Sequence, residues 1–185
     1  WFETALSRGQ KHLPHIREVF AQEGIPQDLA YVALVESAFK PTAYSRAKAK
    51  GVWQFISATG KRYLLPVDWW VDERSDPEKA TRAAARYLKD LHDIFGDWNL
   101  ALAGYNAGEG KVLRAMRRYR TDDFWTLRQT KGLRPETKNY VPLIHAAVVI
   151  AKAPERYGFT VTPEEGPDFE RVPIEGALDL RVIAE

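Results

Sequence analysis

The chain has no cysteine, so no disulfide holds the fold and the redox compartment is left open. It has no marked excess of either charge. Its 27 basic and 25 acidic residues give a net charge of +2. That balance gives no charge argument for a nucleic-acid partner or a membrane surface. There is no long hydrophobic run. The strongest, Ile144 to Ala151, is interrupted by His145 and is too short to span a bilayer. Metal-ligand clusters are also missing. His12 and His15 are three apart, but no further Cys or His supports them, and a surface role is expected. Internal repeats and low-complexity segments are absent. The first residue is Trp1 rather than Met, so the chain reads as a mature or trimmed piece, and a signal peptide or lipid anchor would lie outside view.

What remains is the composition of a soluble domain of 185 residues, with 45% hydrophobic and 28% charged residues. Aromatics reach 12%, including six Trp. Such side chains build sugar-binding clefts, although core packing is their commoner use.

The pattern is helical. Leu13, Ile16, Val19 and Phe20 mark a first segment from about Glu3 to Glu23, with Pro14 as a start or kink and Gly24 as a stop. Pro26 and Asp28 open a second helix that ends at Lys40-Pro41. Residues 42–50 read as a loop. Leu64 to Pro77 is irregular, and Asp72-Glu73-Arg74 suggests an internal salt-bridge network that pins it. Pro77-Glu78 starts a strong helix to Phe95. Asp97-Trp98-Asn99 caps the next helix, Leu100 to Gly104. Lys111, Arg114, Arg117, Arg118 and Arg120 form a basic helix tip, read as a solvated face or a surface for an anionic polymer. A short helix is expected around Phe124, Trp125 and Leu127, and a long one from Glu136 to Lys152. Beyond Ala153-Pro154 the character changes. From Pro163 onward, Glu164, Glu165, Asp168, Glu170, Glu175, Asp179 and Glu185 face only Arg171 and Arg181. This tail reads as an appendage, with a short strand at Phe169 to Ile174 and a helix at Leu178 to Ala184.

One residue violates the pattern. Leu29, Val32, Ala33 and Glu36 share a helical face, which carries the Glu36 carboxyl inward. An isolated buried Glu commonly pairs with an Arg or Lys. Without such a partner it keeps its proton to higher pH, as a general acid requires. Glu36 stands at a helix end, rigidly held yet open to a cleft. Gln54 is a polar group among Trp53, Phe55 and Ile56, and must find a partner in the backbone or in a ligand.

Four pieces occur in order: Glu36-Ser37 after an apolar helix, Gly51-Val52-Trp53-Gln54-Phe55, Ala103-Gly104-Tyr105-Asn106-Ala107-Gly108, and Glu136-Thr137-Lys138-Asn139-Tyr140-Val141. Their order and spacing resemble the lytic transglycosylase catalytic (SLT) domain, glycoside hydrolase family 23. The longer pattern is similar to its membrane-bound lytic murein transglycosylase D branch. The resemblance covers about Leu13 to Phe159. It implies a mainly α, lysozyme-like domain with a substrate groove over residues 1–159, and a C-terminal extension over 160–185 with little β structure. It implies cleavage of the glycan strands of peptidoglycan between N-acetylmuramic acid and N-acetylglucosamine, leaving a 1,6-anhydro end. Glu36 is then the catalytic acid and base, with Ser45, Gln54, Tyr105, Asn106 and Tyr140 toward substrate. Ser37 reads equally as a helix-end cap or a site residue. Gly104 departs from the family's usual Ala. Asp72, Glu73, Glu109 and Glu136 read as structural. No metal, cofactor or nucleic acid is implied, and the oligomeric state is open. The setting implied is the periplasm or cell envelope, with outer-membrane association only through an anchor outside this chain. A hydrolytic muramidase of goose-lysozyme type and a non-catalytic peptidoglycan-binding domain are the alternatives.

Overall fold

The computed structural model describes residues 1–164; the strand and helix expected at Phe169 to Ala184 lie outside the described residues. These residues form nine α-helices and no extended strand, with isolated bridges only at Tyr44–Lys50, Lys50–Phe55 and Val67–Asp72. The helices are α1 (Phe2–Gly9), α2 (Leu13–Gln22), α3 (Val32–Ser37), α4 (Ser57–Arg62), α5 (Pro77–Phe95), α6 (Trp98–Ala107), α7 (Glu109–Tyr119), α8 (Phe124–Gln129) and α9 (Pro135–Lys152).

The single helix expected over Glu3 to Glu23 is two, because the chain turns at Gln10 to His12 and Pro14 begins a new helix instead of kinking an old one. The segment after Pro26 starts as a 3-10 turn, Gln27–Tyr31, and becomes α-helical only at Val32. The ring nitrogens Nε2 of His12 and His15 are buried with no hydrogen-bond partner among the described residues, contrary to the surface role expected for both. Burial, and then the nearby Lys11 charge, push the pKa of the His12 imidazole down.

Helix α6 is the hub. It is apolar almost all round, with Leu100 through Gly104 buried, and it packs on α5, α7, α8 and α9. Asp97 caps it by accepting from the Leu100 N–H at 2.8 Å. A Cβ on Gly104 would sit 2.7 Å from Phe95 Cε2 and 3.2 Å from Leu91 Cδ2, so the missing methyl is what lets α5 close on α6. Asp76 caps α5 twice, from the Glu78 and Lys79 N–H groups. In α9, Pro142 has no N–H to give to the carbonyl of Lys138. Arg128 of α8 supplies the missing donor, its Nε bonding Lys138 O at 2.8 Å.

The loop between α3 and α4 is held by charge. Arg74 is 6% exposed and forks onto Asp72, with Nε to Oδ1 at 2.8 Å and Nη2 to Oδ2 at 2.7 Å. Its Nη1 bonds the carbonyls of Lys48 and Phe55, both at 2.9 Å. Lys50 adds a second cation 3.1 Å from Asp72. Arg74 and Lys50 hold the Asp72 carboxyl down to about 2. The network expected at Asp72-Glu73-Arg74 is therefore present. It reaches further than its own loop and fixes the chain around Gln54. Gly51 makes this approach possible, with φ +83 and an ideal Cβ only 1.7 Å from the backbone carbonyl oxygen of Arg74.

Gly51→Ala is expected to destabilise the fold by about 3 kcal/mol or more, because backbone, not a flexible side chain, blocks the new methyl. Urea unfolding monitored by Trp fluorescence checks this; an unchanged midpoint would show that the loop is not pinned at Gly51.

Candidate active site

A groove of about 630 Å³ opens between the 45–56 loop, the end of α6 and the start of α9. Glu36 lies on its wall, together with Ser45, Gln54, Tyr105 and Asn106. Helix α3 delivers Glu36 at its last turn. The chain then reverses through two consecutive left-handed residues, Ala38 (φ 55) and Phe39 (φ 57). Neither is glycine, so the turn is strained. It persists because Phe39 is fully buried, Gly9 leaves room for its ring, and Arg8 Nη1 bonds Ala38 O at 2.8 Å.

No cation meets the Glu36 carboxyl among the described residues. Tyr140 does, donating its hydroxyl to Oε1 at 2.5 Å. Burial pushes the carboxyl up to about 7; the Tyr140 hydrogen bond opposes this and the charge of Glu136 adds to it. Burial, followed by the nearby Glu36 charge, holds the phenols of Tyr105 and Tyr140 well above their ordinary range. Tyr140 therefore remains a donor, and Oε1 an acceptor. The acid's own proton belongs on Oε2.

The other expected site residues divide. Tyr105 lines the groove, but its hydroxyl is committed to Trp53 O at 2.8 Å, tying α6 to the loop. Asn106 accepts from Thr137 Oγ1 at 2.8 Å, which leaves its amide nitrogen for the groove. Gln54 sits at φ 50, and its amide nitrogen bonds Gly51 O at 2.9 Å and Ala43 O at 3.3 Å. Its carbonyl oxygen is the end left for a ligand. Ser45 closes its own loop, accepting from the Ala49 N–H at 3.0 Å. Ser37 is not among the groove residues. Its hydroxyl donates to Val52 O at 2.8 Å and accepts from the Lys40 N–H, a helix-end role. Glu136, read from the sequence as structural, lies in the groove and acts on Glu36. Its place one helical turn before Tyr140 becomes a signal only once Tyr140 is known to meet Glu36. Tyr87 and Thr59 also line the groove and carried no site signal in the sequence; Lys111, from the basic helix tip, lines it too.

Comparison with known proteins gives the family of the chain. Residues 16–128 match the model of the Transglycosylase SLT domain. The chain belongs to the transglycosylase SLT family. Membrane-bound lytic murein transglycosylase D of Escherichia coli K12 is 35% identical over 184 residues, covering 96% of this chain and 40% of that protein. The chain thus spans well under half the length of that relative. Peptidoglycan transglycosylase gp16 of Escherichia phage T7 is 44% identical over 92 residues, covering 48% of this chain and 7% of that protein. Among solved structures, an inactive mutant of lytic transglycosylase Slt from Pseudomonas aeruginosa aligns at a TM-score of 0.64 and 24% identity, over 82% of this chain and 24% of that one. The 70 kDa soluble lytic transglycosylase of Escherichia coli gives 0.61 at 24% identity, over 77% of this chain and 24% of that one. This SLT domain thus shares the helical, lysozyme-like fold of those enzymes.

Two substitutions should move Glu36 in opposite directions. Tyr140→Phe removes a bond that favours the carboxylate, so the Glu36 titration moves to higher pH. Glu136→Gln removes a like charge, so it moves to lower pH. Carbon-13 NMR of the labelled carboxyl reads both; shifts of the same sign would show that the assigned causes are wrong.

Proposed function

We propose that this chain cleaves the glycan strand of peptidoglycan at the β-1,4 bond between N-acetylmuramic acid and N-acetylglucosamine. Muramic acid is released as its 1,6-anhydro form. The observation that carries this reading is a buried carboxyl on the wall of an open groove with no cationic partner among the described residues, its pKa pushed by burial up to about 7. Such a group is a general acid at working pH.

The chemistry runs on one residue. Glu36 gives its proton to the glycosidic oxygen, and the N-acetylglucosamine side leaves as an alcohol. The acetamido oxygen of the muramic acid stabilises the positive anomeric carbon. Glu36, now a carboxylate, takes the proton of the C6 hydroxyl, and O6 closes on the anomeric carbon. The proton count returns to its start and no water is consumed. Tyr140 holds Oε1 throughout, so Oε2 faces the bond being cut. Gln54 and Asn106 offer a carbonyl and an amide to the sugar's polar groups, which suits N-acetylated substituents. The substrate places the work in the cell envelope, and the relative's name adds a membrane-bound setting for that protein. Among the described residues no helix is long and apolar enough to cross a membrane.

Glu136 in the groove favours one second reading, hydrolysis with Glu136 as the base that activates water. Mass spectrometry of digested peptidoglycan separates the two, since anhydro ends lack one water.

Glu36→Gln tests both the role and its cost. Activity should fall by at least about 10⁴-fold, the upper end for acid–base catalysis. A carboxyl moved from its ordinary 4.5 to about 7 on folding opposes the fold by about 3 kcal/mol once ionised. The native state holds its proton more tightly than the unfolded chain, so the cost is absent below pH 4.5 and complete above about pH 7. The variant should therefore melt higher than the parent at pH 8, with the gap closing toward pH 4. A variant that melts early at pH 8, yet cleaves normally while folded, would mark Glu36 as an ion-pair residue.

A further inference from the structure

Three polar or charged side chains are buried in the core among the described residues: Arg74, Thr81 and Thr137. Two of them hold the frame. Arg74 pins the loop between α3 and α4. Thr81 uses its hydroxyl twice, accepting from the Trp53 indole N–H at 3.0 Å and donating to Pro77 O at 2.6 Å. Thr137 is different. It is the third residue of α9 and 3% exposed, and its hydroxyl makes one bond, to Asn106 Oδ1 at 2.8 Å. The partner is a groove residue. Helix formation does not call for threonine here, since a β-branched residue is a poorer helix former than alanine. Packing does not call for it either, because valine has nearly the same shape and no buried hydroxyl to satisfy.

A primary amide has an accepting end and a donating end, and a half-turn about one torsion exchanges them. Gln54 is held by backbone: its amide nitrogen bonds the carbonyls of Gly51 and Ala43, which turns its oxygen to the groove. The sense of Asn106 hangs on a single side chain. The buried Thr137 proton has no other acceptor among the described residues, so the hydroxyl donates and Oδ1 turns inward. Nδ2 then faces the groove as a donor. We propose that Thr137 is a positioning residue that sets the sense of the Asn106 amide, so that the groove offers an N–H to an acceptor oxygen of the sugar, such as the carbonyl of an N-acetyl group. This deepens the proposed cleavage reading and rests on it. A residue without a hydroxyl at 137 frees the amide to turn, and its oxygen then meets the sugar's oxygen. The contact is made before and during bond cleavage alike, so it strengthens binding more than it speeds the chemistry.

Thr137→Val keeps the shape and removes the donor. KM for peptidoglycan strands should rise about fivefold, with kcat within about twofold of the parent. Thr137→Ser restores the hydroxyl and should bring KM back to within about twofold of the parent. Thr137→Ala repeats the test if the Val variant folds poorly. Asn106→Ala should raise KM at least as much, and adding Thr137→Val to it should cost nothing further, because the hydroxyl then has no amide to orient. A hydroxyl that only stabilised α9 would lower the melting temperature and leave KM unchanged; that result, or additive losses in KM, would overturn the inference. Calorimetric titration with the trisaccharide of N-acetylglucosamine, on a Glu36→Gln background, reads the contact without cleavage. Binding should weaken about fivefold when Thr137→Val is added. Equal binding, or none by either form, would overturn the inference. If no anhydro ends are formed but the trisaccharide still binds in a way that depends on Thr137, the cleavage reading fails and the positioning role stands. If the Thr137→Val variant forms anhydro ends with the parent's KM, the positioning role fails alone.

Discussion

The hydrogen bond from Tyr140 to Glu36 joins α3 to α9 across 104 residues of sequence and is made behind the groove wall, since Glu36 lines the groove and Tyr140 is buried. It is the only strong polar contact that the carboxyl receives among the described residues. A cation there would have stabilised the fold and lowered the acid's pKa beyond use. A phenol instead fixes the geometry and keeps its own proton. The carboxyl is thus oriented without being neutralised. Everything near it serves that compromise: the strained turn at Ala38 and Phe39, the bond from Tyr105 to the loop, and the unoccupied ends of Gln54 and Asn106.

The supporting frame is more charged than the site. Arg74 and Asp72 spend their charges on each other and on loop carbonyls, which makes the 48–55 segment stiff. The helices beneath are held by apolar contact and small residues, with α6 at the centre. Rigidity comes from the frame and reactivity from the site, and the two meet at Val52, Trp53 and Phe55, whose backbone carbonyls serve Ser37, Tyr105 and Arg74.

Much of this was legible in the sequence. The inward Glu36 followed from spacing, α5 from its Pro77-Glu78 start and its run to Phe95, and the Asp72–Arg74 pair from adjacent charges. What was hidden was mostly long-range. Whether Glu36 would meet an Arg or a Tyr depends on α9, which local pattern does not reach. Glu136 looked like an ordinary first-turn acid because its nearness to Glu36 is a tertiary fact. The break between α1 and α2 was blurred because Pro14 fits either a start or a kink. The unpartnered ring nitrogens of His12 and His15 arise from tertiary packing, for His12 against the Phe39 ring, invisible at a spacing of three. The two uses of the basic helix, part solvated and part lining a cavity, separate only once the 131–134 segment is seen folded against it.

The bond from Arg128 to Lys138 has an evolutionary meaning. Pro142 removes a backbone donor from α9, and Arg128 restores it from another helix. Neither residue touches the groove, so selection on catalysis does not see either one directly. The two nevertheless form a single unit of inheritance. Where a relative has an ordinary residue at 142, the helix supplies its own hydrogen bond and position 128 is released to drift. Where Pro142 is kept, drift at 128 leaves a carbonyl in α9 two residues before Tyr140 without its donor. Sequences descended from a common ancestor should therefore change these two positions together.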